Sequence, residues 1–269
     1  MTCLTFIIPI RHQENASNWD MLISNLKQTI KSISAQTSDD WKCVLVANHG
    51  ARLPELPQRF DVCWVDFPKN EFHLKGTIDK EKFYDAIRFD KGMRILSGLL
   101  HAGDSKYFMF VDDDDFIHRD LTQYVYDNQG GNGWYIGDGL VWSDGGRELI
   151  KHSNFHLYCG TSHIIRAELL MLPTNIEDAD VEYVKNMFGS HIKIKNELDI
   201  SGHPLENLPF DGAIYRIGHS DSHSKSNGII KNYFFTKKVW EHPKQIFKNL
   251  LRLRFVNKRT RIDYFGTSY

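Results

Sequence analysis

Four consecutive carboxylates, Asp112-Asp113-Asp114-Asp115, follow directly on the apolar run Tyr107 to Val111 (YFMFV). In an extended chain side chains alternate, so Asp112 and Asp114 share one face at roughly 7 Å. Carboxylates held that close raise one another's pKa unless a cation neutralises them. A hard divalent cation such as Mg²⁺ or Mn²⁺ suits an all-oxygen set of this kind. The competing reading is that the run caps a helix near His118–Tyr126 and stays solvated. Four acids in succession after so apolar a strand favour the metal.

Other candidates lie elsewhere in the chain. Glu177-Asp178-Ala179-Asp180 opens a helical stretch and can supply a general base, although acids there also serve as caps. Ile214 to Ile217 leads into Gly218-His219-Ser220-Asp221-Ser222-His223-Ser224-Lys225, a loop rich in Ser, His and Asp. The histidines outside this loop show no ligand spacing.

These residues need a scaffold, and the pattern describes one. Leu4 to Ile10 (LTFIIPI), Trp41 to Ala47 (WKCVLVA), Val62 to Phe67 and Tyr107 to Val111 are short apolar runs that read as buried strands. Trp19 to Ala35, with Asn18 or Ser17 as its cap, and about Lys82 to His101 carry helical periodicity. Strands alternating with helices predict a mainly parallel sheet flanked by helices, with ligands at the carboxyl ends of the strands. The second half predicts a β-hairpin from Trp134 to Trp142 and Arg147 to Lys151, then helices near Ala167–Met171 and Glu177–Phe188.

Composition is consistent with this scaffold. The 269 residues carry 33 Lys+Arg against 34 Asp+Glu, with 41% hydrophobic residues. That excludes disorder and repeat architectures and argues against a dedicated nucleic-acid binder. Cys3, Cys43, Cys63 and Cys159 form no C-x-x-C pair, and the first three read as buried thiols. No basic region precedes the first apolar run, and no run has the length of a membrane span, so the expectation is a cytoplasmic chain. The C-terminal stretch 231–269 is rich in Lys, Arg and aromatics. Between Pro243 and Val256 it reads as a basic amphipathic helix, able either to lie on anionic lipid or to pack on the domain with its basic side in water.

The segment Lys91 to Leu121 (KGMRILSGLLHAGDSKYFMFVDDDDFIHRDL) resembles the central block of the GT-A glycosyltransferases, especially the family 2-like group: a helix, a hydrophobic strand, a D-x-D motif and an apolar residue after it. The opening FIIPIRH is similar to the first strand of that family, and the likeness covers about the first half of the chain. It implies an α/β, Rossmann-like GT-A fold over residues 1–230. Residues 1–120 would form the nucleotide-sugar half and 121–230 a smaller β-hairpin and acceptor half, with 231–269 as a basic C-terminal extension.

The resemblance also implies roles. Pro9, Arg11 and Asn48 would lie beside the nucleotide, Lys91 and Arg94 on the helix approaching it, and Asp112 and Asp113 in the cofactor-binding set. Asp114 would be the direct metal ligand, helped by Asp112 and by His219, with Asp178 or Asp180 as general base. The activity implied is metal-dependent transfer, with inversion, from a nucleotide-diphosphate sugar to a glycan or lipid-linked saccharide. Uracil is the base common in the family. Two departures stand out: Asn48-His49 ends the second strand where an acid is frequent, and no arginine-bearing helix follows the late acidic pair. A non-catalytic nucleotide-sugar binding module of the same fold is the alternative. A nucleotidyltransferase is the other, and the glycine-free loop Arg11 to Ser17 counts against it.

Overall fold

The structure is a computed structural model that describes residues 1–72, 79–218, 229–235 and 243–267. A seven-stranded, mostly parallel sheet forms its centre, in the order β10-β6-β9-β4-β1-β2-β3. Its parallel half comprises β1 (Thr2–Pro9), β2 (Trp41–Asn48), β3 (Phe60–Val65) and β4 (Ser105–Phe110). Beyond β4 the sheet continues through β9 (His163–Arg166), antiparallel to both β4 and β6 (Gly133–Tyr135), to β10 (Glu206–Asn207). The fold is therefore α/β with helices against a mainly parallel sheet, as the alternating pattern predicts.

Helix α1 (Trp19–Ser34) starts where the Asn18 side chain accepts from Met21 N, and it buries Leu22, Leu26, Ile30 and Ile33 against one side of the sheet. Helix α2 (Lys80–Ala102) covers the other side with Ile95, Leu96 and Leu99. It sits very close to the strands at Gly98. A Cβ there would lie 2.7 Å from Val46 Cγ2 and 2.8 Å from Ile7 Cγ2, so a larger residue would push the helix off the sheet.

The segment predicted as one strand over 134–142 is two. β6 ends at Tyr135 in the central sheet, and β7 (Asp138–Ser143) starts a second sheet of five strands, β12-β8-β7-β11-β5. There β7 pairs antiparallel with β8 (Glu148–Ser153), and β11 (Ala213–Ile217) runs parallel to β7 and antiparallel to β5 (Phe116–Ile117). Ile136 and Gly137 make the switch. A Cβ on Gly137 would lie 3.0 Å from the Asn207 side-chain carbon, so a larger residue would displace that side chain, whose Oδ1 accepts from Gly137 N at 3.0 Å.

Two helical expectations change. The Glu177–Phe188 stretch breaks into a 3-10 turn (Ile176–Asp178), a single helical turn α4 (Val181–Tyr183) and a π-helical turn (Val184–Phe188). The stretch from Pro243 is helical only to Arg252, as α7 (Pro243–Arg252), because Leu253 onward pairs with β8 as β12 (Leu253–Phe255). The short helices α3 (Leu121–Asp127), α5 (Ile194–Ile200), α6 (Ile229–Phe234) and α8 (Lys258–Tyr264) complete the chain. Phe265, after α8, stacks edge-on against Phe116 at 4.7 Å, joining the C-terminal residues to the second sheet. All four cysteines are buried thiols. No helix among the described residues is long and apolar enough to cross a membrane.

Candidate functional site

The carboxyl ends of β1 and β4 lie side by side, since the two strands pair in register from Thr2↔Ser105 to Ile7↔Phe110. Beyond β4 the aspartate run turns rather than continuing as a strand, with Asp115 N–H donating to Asp112 O at 3.3 Å. The turn is clamped from α1: Thr29 Oγ1 donates to Asp113 O at 3.2 Å, and Ser32 Oγ bonds both the carbonyl and the N–H of Ile117. The run does not cap α3, because β5 intervenes and Asp120 occupies the cap position, where its side chain accepts from Thr37 Oγ1 rather than from the helix.

Turning separates the four acids. Asp112, Asp113 and Asp114 line a cavity of about 520 Å³, whereas Asp115 is fully buried behind them. Asp115 accepts from Thr161 Oγ1 at 2.6 Å, from Cys159 Sγ at 3.2 Å and from Arg216 N at 3.1 Å. Burial, with Asp114 and Asp112 as neighbours, raises its pKa well above the carboxylate range. Burial and Asp115 likewise push the Cys159 thiol up, so that cysteine is a hydrogen-bond donor rather than a nucleophile. The Arg216 guanidinium carbon lies 5.1 Å from the ring centroids of both Phe116 and Trp142, which contact each other edge-on, and Arg216 pairs with Asp144.

The opposite wall is α2. Tyr84, Ile87, Arg88 and Lys91 follow one another at helical spacing along the lining. Lys91 pairs with Asp112 through Oδ1. Burial works against the lysine's charge, but Asp112 outweighs it and leaves the ammonium pKa above its usual value. Gly160 makes this approach possible: a Cβ there would lie 2.6 Å from Asp112 Oδ2 and 3.0 Å from Lys91 Nζ.

Arg94, also in the lining, is only 1% exposed. Its Nε and Nη2 donate to Asp90 and its Nη1 donates to Asn48 Oδ1 at 2.8 Å. Its plane lies over Phe67. Asn48 is buried and also donates to Phe67 O at 2.6 Å. It therefore holds Arg94 and is not itself part of the wall.

The cavity thus brings together Pro9, Arg11, Lys91, Arg94, Asp112, Asp113 and Asp114 from the residues singled out in the sequence. Asp178 and Asp180 are not in its lining. Both are exposed, Asp178 accepting from Asn175 Nδ2 and Asp180 capping α4 through Tyr183 N. His219, like His223 and Lys225, lies outside the described residues. Tyr158, Tyr215, Ser190 and His191 line the cavity without having been anticipated. The imidazole of His191 is held below its ordinary pKa by burial and by Lys91. Arg88 and Tyr84 precede Lys91 by three and seven residues, so helical spacing from Lys91 points to both.

The donor set suits a hard cation. Among the described residues no group of three or more His, Cys, Asp or Glu side chains is arranged to hold a metal by itself. Mg²⁺ and Mn²⁺ sites, however, commonly combine one or two carboxylates with phosphate oxygens and water. Asp112 and Asp114 are two carboxylates that could serve in this way, at the wall of a cavity large enough for a diphosphate.

No protein-family profile matches the chain, and no curated protein matches it. Among solved structures, residues 1–349 of S. aureus TarS, in one crystal alone and in another in complex with UDP, are similar to it at 12% identity and a TM-score of 0.46, over 80% of this chain and 60% of that one. This chain therefore spans less than two thirds of the length of those structures. Rv0371C of Mycobacterium tuberculosis, crystallised in complex with manganese, is similar at 10% identity and a TM-score of 0.36, over 80% of this chain and 91% of that one.

Proposed function

We propose that this chain is a GT-A glycosyltransferase that moves a sugar from a nucleotide-diphosphate donor, with uracil as base, to a glycan or lipid-linked saccharide. The observation that carries the reading is the meeting of Lys91, Arg11 and three carboxylates of one run in a single cavity at the carboxyl ends of β1 and β4. That is where open α/β sheets bind ligands. The resemblance of Lys91 to Leu121 to the family's central block supports the same reading.

In this reading Asp114 and Asp112 hold Mn²⁺ or Mg²⁺, which when bound neutralises the charge of the departing diphosphate. Arg11 and Lys91 orient the phosphates, and Pro9 borders the nucleoside. The acceptor hydroxyl approaches from the Tyr158 and Tyr215 side and displaces the diphosphate with inversion. Tyr158 offers one ring face for a sugar while His152 stacks on it at 4.5 Å. The base for the acceptor proton is Asp178 or Asp180 by the sequence resemblance; His191 is the candidate by position in the wall.

Because Asp178 and Asp180 lie outside the lining, a non-catalytic nucleotide-sugar binding module is the second reading. Incubating the chain with UDP-sugars, Mn²⁺ and oligosaccharide acceptors, and measuring UDP release, separates the two. Acceptor-stimulated release, reduced about a hundredfold or more by substitution of the base, supports transfer. Donor binding with no release under any acceptor supports the binding module.

A further inference from the structure

Helix α7 is built inside out. At roughly 100° per residue, Gln245 and Asn249 share the side turned to the protein. Asn249 is buried and donates to Tyr233 O at 2.6 Å, and Gln245 donates to Asn249 Oδ1 at 2.9 Å. The opposite arc holds Phe247, Leu250 and Leu251, which are 64%, 52% and 62% exposed, and Phe255 on β12 adds a further exposed ring. An amphipathic helix on a soluble domain normally turns its apolar side inward.

The charges around this arc say what covers it. Lys244 and Lys248 are exposed and follow the apolar arc along one edge of the helix, whereas Arg252, also exposed, falls back toward the Gln245 side. Arg254 is exposed as well, and its Nη1 donates to the carbonyls of Leu251 and Leu253. The chain as a whole has a net charge of -1, yet residues 243–267 contain Asp263 as their only acid, so this edge is positive against a negative remainder. A second copy docking here about a two-fold axis would set Lys244 and Lys248 against their own images. Nucleic acid would leave the apolar arc in water. An anionic bilayer interface takes both halves, with side chains among the upper acyl chains and ammonium groups at the headgroups.

We propose that Phe247, Leu250, Leu251 and Phe255, edged by Lys244 and Lys248, dock this chain on an anionic lipid surface. The inference does not depend on sugar transfer. The test is co-sedimentation of the full chain with vesicles of phosphatidylcholine alone and of phosphatidylcholine mixed with phosphatidylglycerol, at low and high salt. The account expects binding to the anionic vesicles only, weakened by salt. Phe247→Glu with Leu251→Glu should reduce it at least about tenfold, and Lys244→Gln with Lys248→Gln about fivefold per charge. Both double variants alter exposed side chains and should keep the wild-type thermal midpoint. Absence of binding to anionic vesicles, or binding unchanged in both variants, overturns the proposal. So does a wild-type dimer in light scattering that Phe247→Glu with Leu251→Glu turns into a monomer, since a second copy would then cover the arc. Nucleotide binding measured on the same samples keeps this outcome separate from that of the transfer reading.

Discussion

The Thr161 hydroxyl donates to Asp115 Oδ2 at 2.6 Å and so joins residues 46 positions apart in the buried interior. Thr161 Oγ1 in turn accepts from Asp112 N at 2.9 Å. One hydroxyl thus ties the loop before β9 to both ends of the aspartate turn, and Asp115 acts on the cavity by holding that turn rather than by facing it.

Thr161→Val removes both bonds at nearly constant volume and leaves the Asp112 N–H and a buried carboxyl short of partners. The expected stability loss is about 1–3 kcal/mol, read from urea denaturation. Nucleotide affinity should fall with it, while Thr161→Ser keeps both. A valine variant with wild-type stability and affinity would mean that the turn is held by α1 alone.

The pairing of Lys91 with Asp112 makes a prediction of opposite signs. In Lys91→Gln the carboxylate loses its internal cation. Mn²⁺ alone should bind tighter, while the nucleotide diphosphate, deprived of a positive group, should bind about tenfold weaker. Titration of Mn²⁺ alone, and of the nucleotide diphosphate at saturating Mn²⁺, checks this. Parallel changes in the two affinities would contradict the arrangement.

Much of this was legible in the sequence because the residues concerned end elements with strong patterns. Pro9, Arg11 and the aspartates terminate apolar runs that are strands in the structure, and Lys91 sits on a long periodic helix. The turn within the run was not legible: alternation predicts an extended chain, whereas Thr29, Ser32 and Thr161 bond the backbone into a bend from positions far away in sequence. Residues 134–142 read as one apolar strand because their division depends on which sheet each half pairs with. Likewise, Leu253 to Phe255 fit a helical pattern until the edge of β8 offers them partners. His191 and Tyr158 carry no local signal; only the folding of their loops over α2 and β11 brings them to the cavity.

His163 gives a prediction in pH. It is 2% exposed, and burial, helped by His156, holds its pKa well below the ordinary 6.5. Below pH 6.5 the unfolded chain takes up a proton that the folded one refuses. The stability this group contributes is therefore present above pH 6.5 and lost as pH falls below it. His163→Leu should flatten the slope of unfolding free energy against pH in that acid range by up to one proton, about 1.4 kcal/mol per pH unit. His156 and His191, also depressed, keep part of the slope. Coincident slopes in wild type and variant would show that His163 opens to water before the chain unfolds.

Calorimetric titration of a nucleotide-diphosphate panel into the chain, with and without Mn²⁺, tests the central claim most directly when repeated on Asp114→Ala. The account predicts that one nucleotide, UDP, binds only with the metal and that the variant abolishes this dependence. Binding that ignores both Mn²⁺ and Asp114, or no nucleotide binding at all, would contradict it.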